Sequence, residues 1–355
     1  GEYQSAVDDL TFVLDLSPED VGSLNNRGRA HHLLDDYQSS IQDFDKALSI
    51  APDSALIYRN RGDSHDGMGE YELAIQDLNE AIRLQPDDAR SFNIRGVVFV
   101  NKDEPLKAID EFTEALRLDP TNAKYHRNRG ICYRSFLQEY QKSVDDYTES
   151  IKLDPEYANA YNNRGISYGR LEEYQKAIDD YTEAIRLVPD NPDSFNGRAI
   201  TYHELGEHQK AIDDYTKAIQ LQPDSPGTFY NRAVQHIELE EYTEAWRDLE
   251  KSLSLDAENP FIHHLRGELW YIDGDLDQSV ACYEQALSFA PDFEDSRIRR
   301  MEVYREPKVW WIFNRRGNYI GNIMKDSSGR HSGQVGRDRV NQHFDQMIRI
   351  FESSS

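Results

Sequence analysis

Pro18, Pro52, Pro86 and Pro120 stand at one constant interval along this chain. Pro155 follows one place late, and Pro189 and Pro223 return to the interval. Ala257 takes the next place and Pro291 closes the series. Each position ends an apolar stretch such as "ALSIAP" (47–52), "AIRLQP" (81–86) or "ALRLDP" (115–120). Proline has no N–H to donate and its ring collides with the preceding turn, so it stops a helix. A chain punctuated at one fixed interval is a row of similar helical units, each too small to bury its own apolar face.

Within one interval, 158–191, two helical stripes are visible. Tyr161, Gly165 and Tyr168 recur at helical spacing, and Tyr174, Ala177, Tyr181 and Ala184 do the same further on. The small residues Gly165, Ala177 and Ala184 predict two helices in close approach. Glu172 and Glu173 are expected to begin the second helix, where carboxylates suit the dipole. In the third unit, Pro105 falls at a tolerated first-turn position.

Composition agrees with an extended architecture. The chain has 355 residues, more than one compact globule usually holds, yet only 38% are apolar and 30% are charged. Its net charge of −25 argues against general binding to nucleic acid or to an anionic membrane. Cys132 and Cys282 are the two cysteines, too few for a disulfide framework or a zinc cluster. A reducing, cytoplasmic setting is the expectation. No run approaches the roughly 20 apolar residues of a membrane span.

Paired helices of this period, patterned aromatic–Gly–aromatic, then Ala–aromatic–Ala, then Pro, resemble the tetratricopeptide repeat. The likeness covers residues 1–293. Full repeats are read at 21–54, 55–88, 89–122, 123–157, 158–191, 192–225, 226–259 and 260–293, the fourth with one extra residue near "SFLQEY". Residues 1–20 match only a second helix, "GEYQSAVDDL" aligning with "GEYELAIQDL" at 69–78, which suggests a fragment or a processed chain. The resemblance implies an all-α fold, a right-handed superhelical solenoid of eight full repeats and a half repeat.

Arginine occupies the seventh position of every repeat: Arg27, Arg61, Arg95, Arg129, Arg164, Arg198, Arg232 and Arg266. A carboxylate precedes each at one constant offset, from Asp9 before Arg27 to Asp248 before Arg266, on the second helix of the repeat before. The alternative is an acid on the arginine's own second helix, as Asp180 is to Arg164. That pattern meets Cys282 in the last repeat and leaves Asp9 unused. Each arginine is therefore expected to bridge to the second helix of the preceding repeat, its fork holding a carboxylate and fixing the angle between neighbours.

The sixth position holds asparagine five times: Asn26, Asn60, Asn128, Asn163 and Asn231, interrupted by Ile94, Gly197 and Leu265. In tetratricopeptide proteins this position lines the concave surface, and in the solenoid of O-GlcNAc transferase, which these repeats resemble here, it forms an asparagine ladder. A side-chain amide donates and accepts, so it can grip a peptide bond whatever the side chain; the other reading is an asparagine tying down its own backbone. Neighbouring positions of the second to fourth repeats add Arg59, Arg90, Lys124, Arg127 and Arg134, opposed by Asp63. The next two repeats add the nearly neutral set Asn159, Asn162, Asn196 and Asp193. An extended peptide is expected in the groove, its acidic end or C-terminal carboxylate near the basic stretch. The carboxylate clamp of chaperone-binding relatives is not matched, since Asp63 and Ile94 stand where two clamp residues belong.

Catalysis is not expected. His31, His65 and His236 occupy the eleventh position, where other repeats place Phe99, Tyr133, Tyr168, Tyr202 and Trp270, and so read as packing residues. His263 and His264 are adjacent and point apart on a helix. Phosphate loops and metal-ligand spacings are missing, so no cofactor or metal is predicted.

After Pro291 the pattern changes. Residues 294–306 predict a helix capping the last repeat. The 307–355 segment carries +4 against −29 for the rest. Its "NRRGNYIGNI" and "DSSGRHSGQV" echo each other, with Gly317 and Gly329, Gly321 and Gly333 in phase, and suggest β-hairpins. The stretch 340–351 suggests an amphipathic helix. This tail is read as a small accessory fold on the last repeat, with docking on the superhelix as the other possibility. The whole reads as a scaffold binding a protein or peptide, or as the recruiting portion of a larger enzyme whose N-terminal part is absent.

Overall fold

The computed structural model describes residues 1–295 and the backbone of three strand segments, 309–313, 319–325 and 331–335. The described chain forms two compact units, Gly1–Asp190 and Asn191–Ser355. The first begins with α1 (Glu2–Leu16). Five helical hairpins follow: α2 (Val21–His32) with α3 (Tyr37–Ile50), α4 (Ala55–Gly67) with α5 (Tyr71–Leu84), α6 (Ala89–Asn101) with α7 (Pro105–Leu118), α8 (Ala123–Ser135) with α9 (Tyr140–Leu153), and α10 (Ala158–Arg170) with α11 (Tyr174–Leu187).

The second unit holds three hairpins: α12 (Pro192–Glu204) with α13 (His208–Leu221), α14 (Pro226–Glu238) with α15 (Tyr242–Leu255), and α16 (Pro260–Asp273) with α17 (Leu276–Phe289). It also contains an antiparallel sheet of β1 (Val309–Phe313), β2 (Tyr319–Lys325) and β3 (His331–Val335), with β2 central and Ile323 opposite both Trp310 and Gly333. The helix expected over 294–306, beyond its first two residues, and the one expected over 340–351 fall outside the described residues.

Local chemistry explains the helix ends. Four of the eight first helices open on capping side chains: Asp20 accepts from the Ser23 N–H at 2.8 Å, and Asn122, Asn191 and Asn259 accept from N–H groups two places on. Every turn inside a hairpin contains one residue with left-handed backbone. Glycine takes that place at Gly69, Gly206 and Gly274, and Asp35, Asp103, Gln138, Glu172 and Glu240 take it elsewhere. Glu172, at φ 60°, is thus a turn residue rather than the start of a helix, Glu173 caps, and α11 begins at Tyr174.

The core is a series of patches between consecutive hairpins rather than one body. Leu24, Phe44, Ala47 and Leu48 of one hairpin meet Leu14 before it and Ile57 after it. Ala74 and Leu78 meet Ile94 and Val98 of the next, and Ala108 and Phe112 meet Cys132. In the second unit Ala233, Ala245 and Leu249 meet Ile262, Leu265 and Leu269. Buried serines join the same seams: Ser40 and Ser64 share a hydrogen bond of 2.9 Å, and Ser143 and Ser167 one of 3.0 Å. In the first unit consecutive first helices approach one another more closely than consecutive second helices do, which puts α2, α4, α6, α8 and α10 on the inner side of the stack.

Glycine at the eighth position makes the close approach inside a hairpin possible. A Cβ on Gly96 would lie 2.6 Å from Cε1 of Phe112, a ring that is 1% exposed and has nowhere to move. Gly96→Ala should therefore lower stability by about 1–3 kcal/mol in a urea or thermal melt. Gly227→Ala, where nothing lies within 4 Å, should raise it by roughly 0.5–1 kcal/mol.

Candidate functional site

The seventh-position arginines set the geometry of the first helices, and their partners differ from expectation. Arg164 donates from Nε and Nη2 to Asp180 at 2.8 and 2.7 Å, a fork within its own hairpin, whereas Asp146 is held by Arg129. The same fork joins Arg27 to Asp43, Arg61 to Asp77, Arg198 to Asp214 and Arg232 to Asp248. Arg95 reaches Glu111 through Nη2 alone. The carboxylate thus follows the arginine on the same hairpin's second helix, and the pairing expected with the preceding repeat is corrected.

The remaining nitrogen does reach backward. Nη1 of Arg27, Arg129 and Arg164 donates to Thr11, Thr113 and Thr148 on the preceding second helix, at 3.0–3.1 Å, and Arg61 meets Asp45 there. One guanidinium therefore ties three helices. Asp9, on which the expectation leaned, is exposed. Arg266 faces Cys282 where other repeats have the acid, and contacts Glu250 at 3.2 Å instead, its Nε buried without a partner.

With the arginine fixed, the sixth-position side chains follow. Asn60, 8% exposed, donates from Nδ2 to Oδ1 of Asn25 at 2.8 Å, and Asn128 donates likewise to Asn93. Asn163 donates to the carbonyl of Asn159 in its own helix. Asn26 is exposed and lies within 3.4 Å of the Asn25 amide; Asn231, in the second unit, is half-buried. The amides thus form two pairs between consecutive first helices, Asn25 with Asn60 and Asn93 with Asn128. Asn25 and Asn93 were the members that sequence reading missed. Their signal was a fifth-position asparagine one repeat ahead of a sixth-position one, a spacing that Asn196 and Asn231 also have although Asn196 Oδ1 is buried without a partner. Asn162 Oδ1, and in the second unit Asn196 Oδ1, are buried without a partner.

The four basic residues Arg59, Arg90, Lys124 and Arg127 separate into two kinds. Arg59 pairs with Asp88 at 2.8 Å, both largely buried. Arg127 lies 3.7 Å from Asp154 and stacks over the Tyr157 ring at 3.8 Å. Arg90 and Lys124 are exposed, and among the described residues neither has an ion-pair partner. Arg90 also lines a cavity of about 90 Å³ with Arg29, His32, Asn60 and Asp63. Burial there pushes the Asp63 carboxyl up, against the opposing charges of His32, Arg90 and Arg59.

The eleventh-position histidines do more than pack. His65 and His236 each hold a glutamate through Nδ1 at 2.7 Å, Glu70 and Glu241 respectively, and His31 lies 3.2 Å from Asp36. Among the described residues no group of three His, Cys, Asp or Glu side chains could hold a metal ion, and no helix is long and apolar enough to cross a membrane. Both cysteines are buried and free.

Tetratricopeptide repeat models match residues 20–87, 59–123, 158–191, 192–225 and 263–293, and a TPR repeat model matches 137–172. No curated protein sequence matches the chain. Among solved structures, a tetratricopeptide repeat protein from Parabacteroides merdae is 19% identical over 69% of this chain and 97% of its own, with a TM-score of 0.55. The APC/C hetero-tetramer Cut9–Hcn1 is 16% identical over 84% of this chain and 58% of its own, at 0.54. The Pseudomonas aeruginosa pilF structure is 18% identical over 61% and 100%, at 0.53. At these identities the likeness is one of fold.

Arg266 offers a direct test of the fork. Cys282→Asp should give its stranded Nε an acceptor and raise stability by about 1–2 kcal/mol. The reverse change in an intact fork, Asp248→Cys, should lower it by about 3–5 kcal/mol. Chemical denaturation of the two variants checks both signs.

Proposed function

The chain belongs to the tetratricopeptide repeat family, and on that premise we propose that it is a non-catalytic scaffold holding an extended polypeptide against the first helices of its first unit. The observation that carries this reading is a separation of charge. In a chain with 65 acidic residues, α2, α6, α8 and α10 contain no Asp or Glu, and α4 contains only Asp63 and Asp66. Each of the second helices α3, α5, α7, α9 and α11 carries at least two. The inner face is basic against an acidic exterior, an arrangement that attracts an acidic guest and steers its approach.

In this reading Arg90 and Lys124 receive the acidic end of the guest. Arg59 and Arg127 support them by fixing the loops that follow α5 and α9 through Asp88 and Asp154. The amides of Asn26, Asn128 and Asn163 meet the guest's main chain. Asn60, whose N–H is spent on Asn25, and Asn128, spent on Asn93, each retain a carbonyl oxygen that can accept. Asn231 plays the same part on the second unit.

Peptides selected from a random display library on the full chain should be enriched in Asp and Glu toward one end. Arg90→Glu with Lys124→Glu should weaken the best of them tenfold, about 1.4 kcal/mol. Asn128→Ala with Asn163→Ala should weaken neutral and acidic peptides alike. Unchanged affinities across both pairs, measured by fluorescence anisotropy, would remove the groove from the account.

A further inference from the structure

One cavity of the first unit carries more positive charge on its walls than the chain itself neutralises. It holds about 90 Å³ and is lined by Arg29 and His32 of α2, Leu33 just after them, Asn60 and Asp63 of α4, Arg90 of α6, and the ring of Phe44. Phe44 is 0% exposed and forms the floor, whereas Arg29, Leu33 and Arg90 are exposed and form the rim. Among the described residues neither Arg29 nor Arg90 has a carboxylate partner, unlike the seventh-position arginines of the same unit.

Asp63 is the one acid of the cavity, 3.8 Å from His32 Nε2. The surrounding polar groups are held in place. His32 Nδ1 lies 3.1 Å from Ser64 Oγ, its ring meets Tyr37 edge-on at 5.3 Å, and Ser64 bonds the buried Ser40. Asn60 is fixed by Asn25. Burial pushes the Asp63 carboxyl up, the sign of a place where charge is poorly hydrated and ion pairs count for more. Two arginines thus face one carboxylate, and a second carboxylate would balance them. The volume is below the roughly 150 Å³ of a cavity that takes one benzene, so it admits the end of a single side chain. Leu33 and Phe44 offer apolar contact to the methylenes of that side chain.

We propose that this cavity seats the carboxylate of one acidic side chain of the bound polypeptide between Arg29 and Arg90, and that Asp63 tunes the seat by repulsion. This rests on the groove reading above and gives it a register: the seated side chain lies between α2 and α6, on the other side of Arg90 from Lys124. Asp63 also sets the class of anion. A doubly charged phosphate meets about twice the repulsion from it that a carboxylate does.

The test uses the full chain near neutral pH, with fluorescein-labelled hexaglutamate as the probe and hexaglutamine as its neutral control. Hexaglutamate should bind, with affinity falling as salt rises, and hexaglutamine should not. Arg29→Gln, at an exposed position outside the forks, should weaken hexaglutamate about tenfold. Lys152→Gln, the same loss of charge on the exposed face of α9, should leave it unchanged. Asp63→Asn should strengthen it about threefold by removing the repulsion. An aspartate that served only the fold would weaken binding when changed. Inorganic phosphate should displace the probe no better than chloride at equal ionic strength. Unchanged affinity in Arg29→Gln, an equal loss in Lys152→Gln, no gain in Asp63→Asn, or displacement by phosphate well beyond chloride would overturn the proposal. If Arg90→Glu with Lys124→Glu weakens the probe while Arg29→Gln does not, or if display-selected peptides bind but hexaglutamate does not, this seat falls and the groove stands.

Discussion

A guanidinium that is mostly buried must have its donors met, and in most hairpins of this chain the seventh-position arginine is placed so that three helices meet them together. Two nitrogens take the carboxylate of the hairpin's own second helix, and the third reaches the helix before it. Desolvation offsets much of the attraction, so the fork contributes little as bulk stability. Its effect is geometric. The planar fork fixes the roll of the first helix against both neighbours, and that roll decides which side chains of positions two, five, six and twelve come to the inner face. The amide pairs Asn60–Asn25 and Asn128–Asn93 join consecutive first helices on the residues next to these arginines.

The helices were legible because period, proline and small-residue spacing all point the same way, and strict repetition removes most ambiguity. The arginine's partner was not legible for the same reason. In a strict repeat, an acid on the helix ahead and one on the helix behind recur with equal regularity, so interior repeats cannot separate them. Only the ends differ, and there Asp9 and Cys282 both favoured the wrong choice. Cys282 is a true exception with a stranded arginine, and Asp9 sits exposed on α1. The roles of Arg59 and Arg127 were hidden because Asp88 and Asp154 lie in loops without helical phase. Likewise Glu172 looked like a helix start because its left-handed backbone leaves no trace in its chemistry. The division at residue 190 is invisible in the sequence, since the repeat runs through it unbroken.

Charge is where sequence and structure add most to each other. A total of −25 describes a protein that should repel anything acidic. Sorting the same residues by helix shows that the first unit keeps nearly all its helical carboxylates on second helices, where many are engaged with arginines or with nearby lysines. The inner helices are left with cations. On the proposed groove reading, net charge misstates the face a partner would meet, since the sign near the first helices differs from that of the whole.

The patchwork core has a mechanical side. Among the described residues each apolar patch joins one hairpin only to its immediate neighbours, so distant turns of the row are not coupled through the core. Such a chain can fray from an end, shedding hairpins one after another like links lifted from a chain, while those beyond keep their shape. A damaged link would then interrupt the spread of order along the row without dissolving the rest.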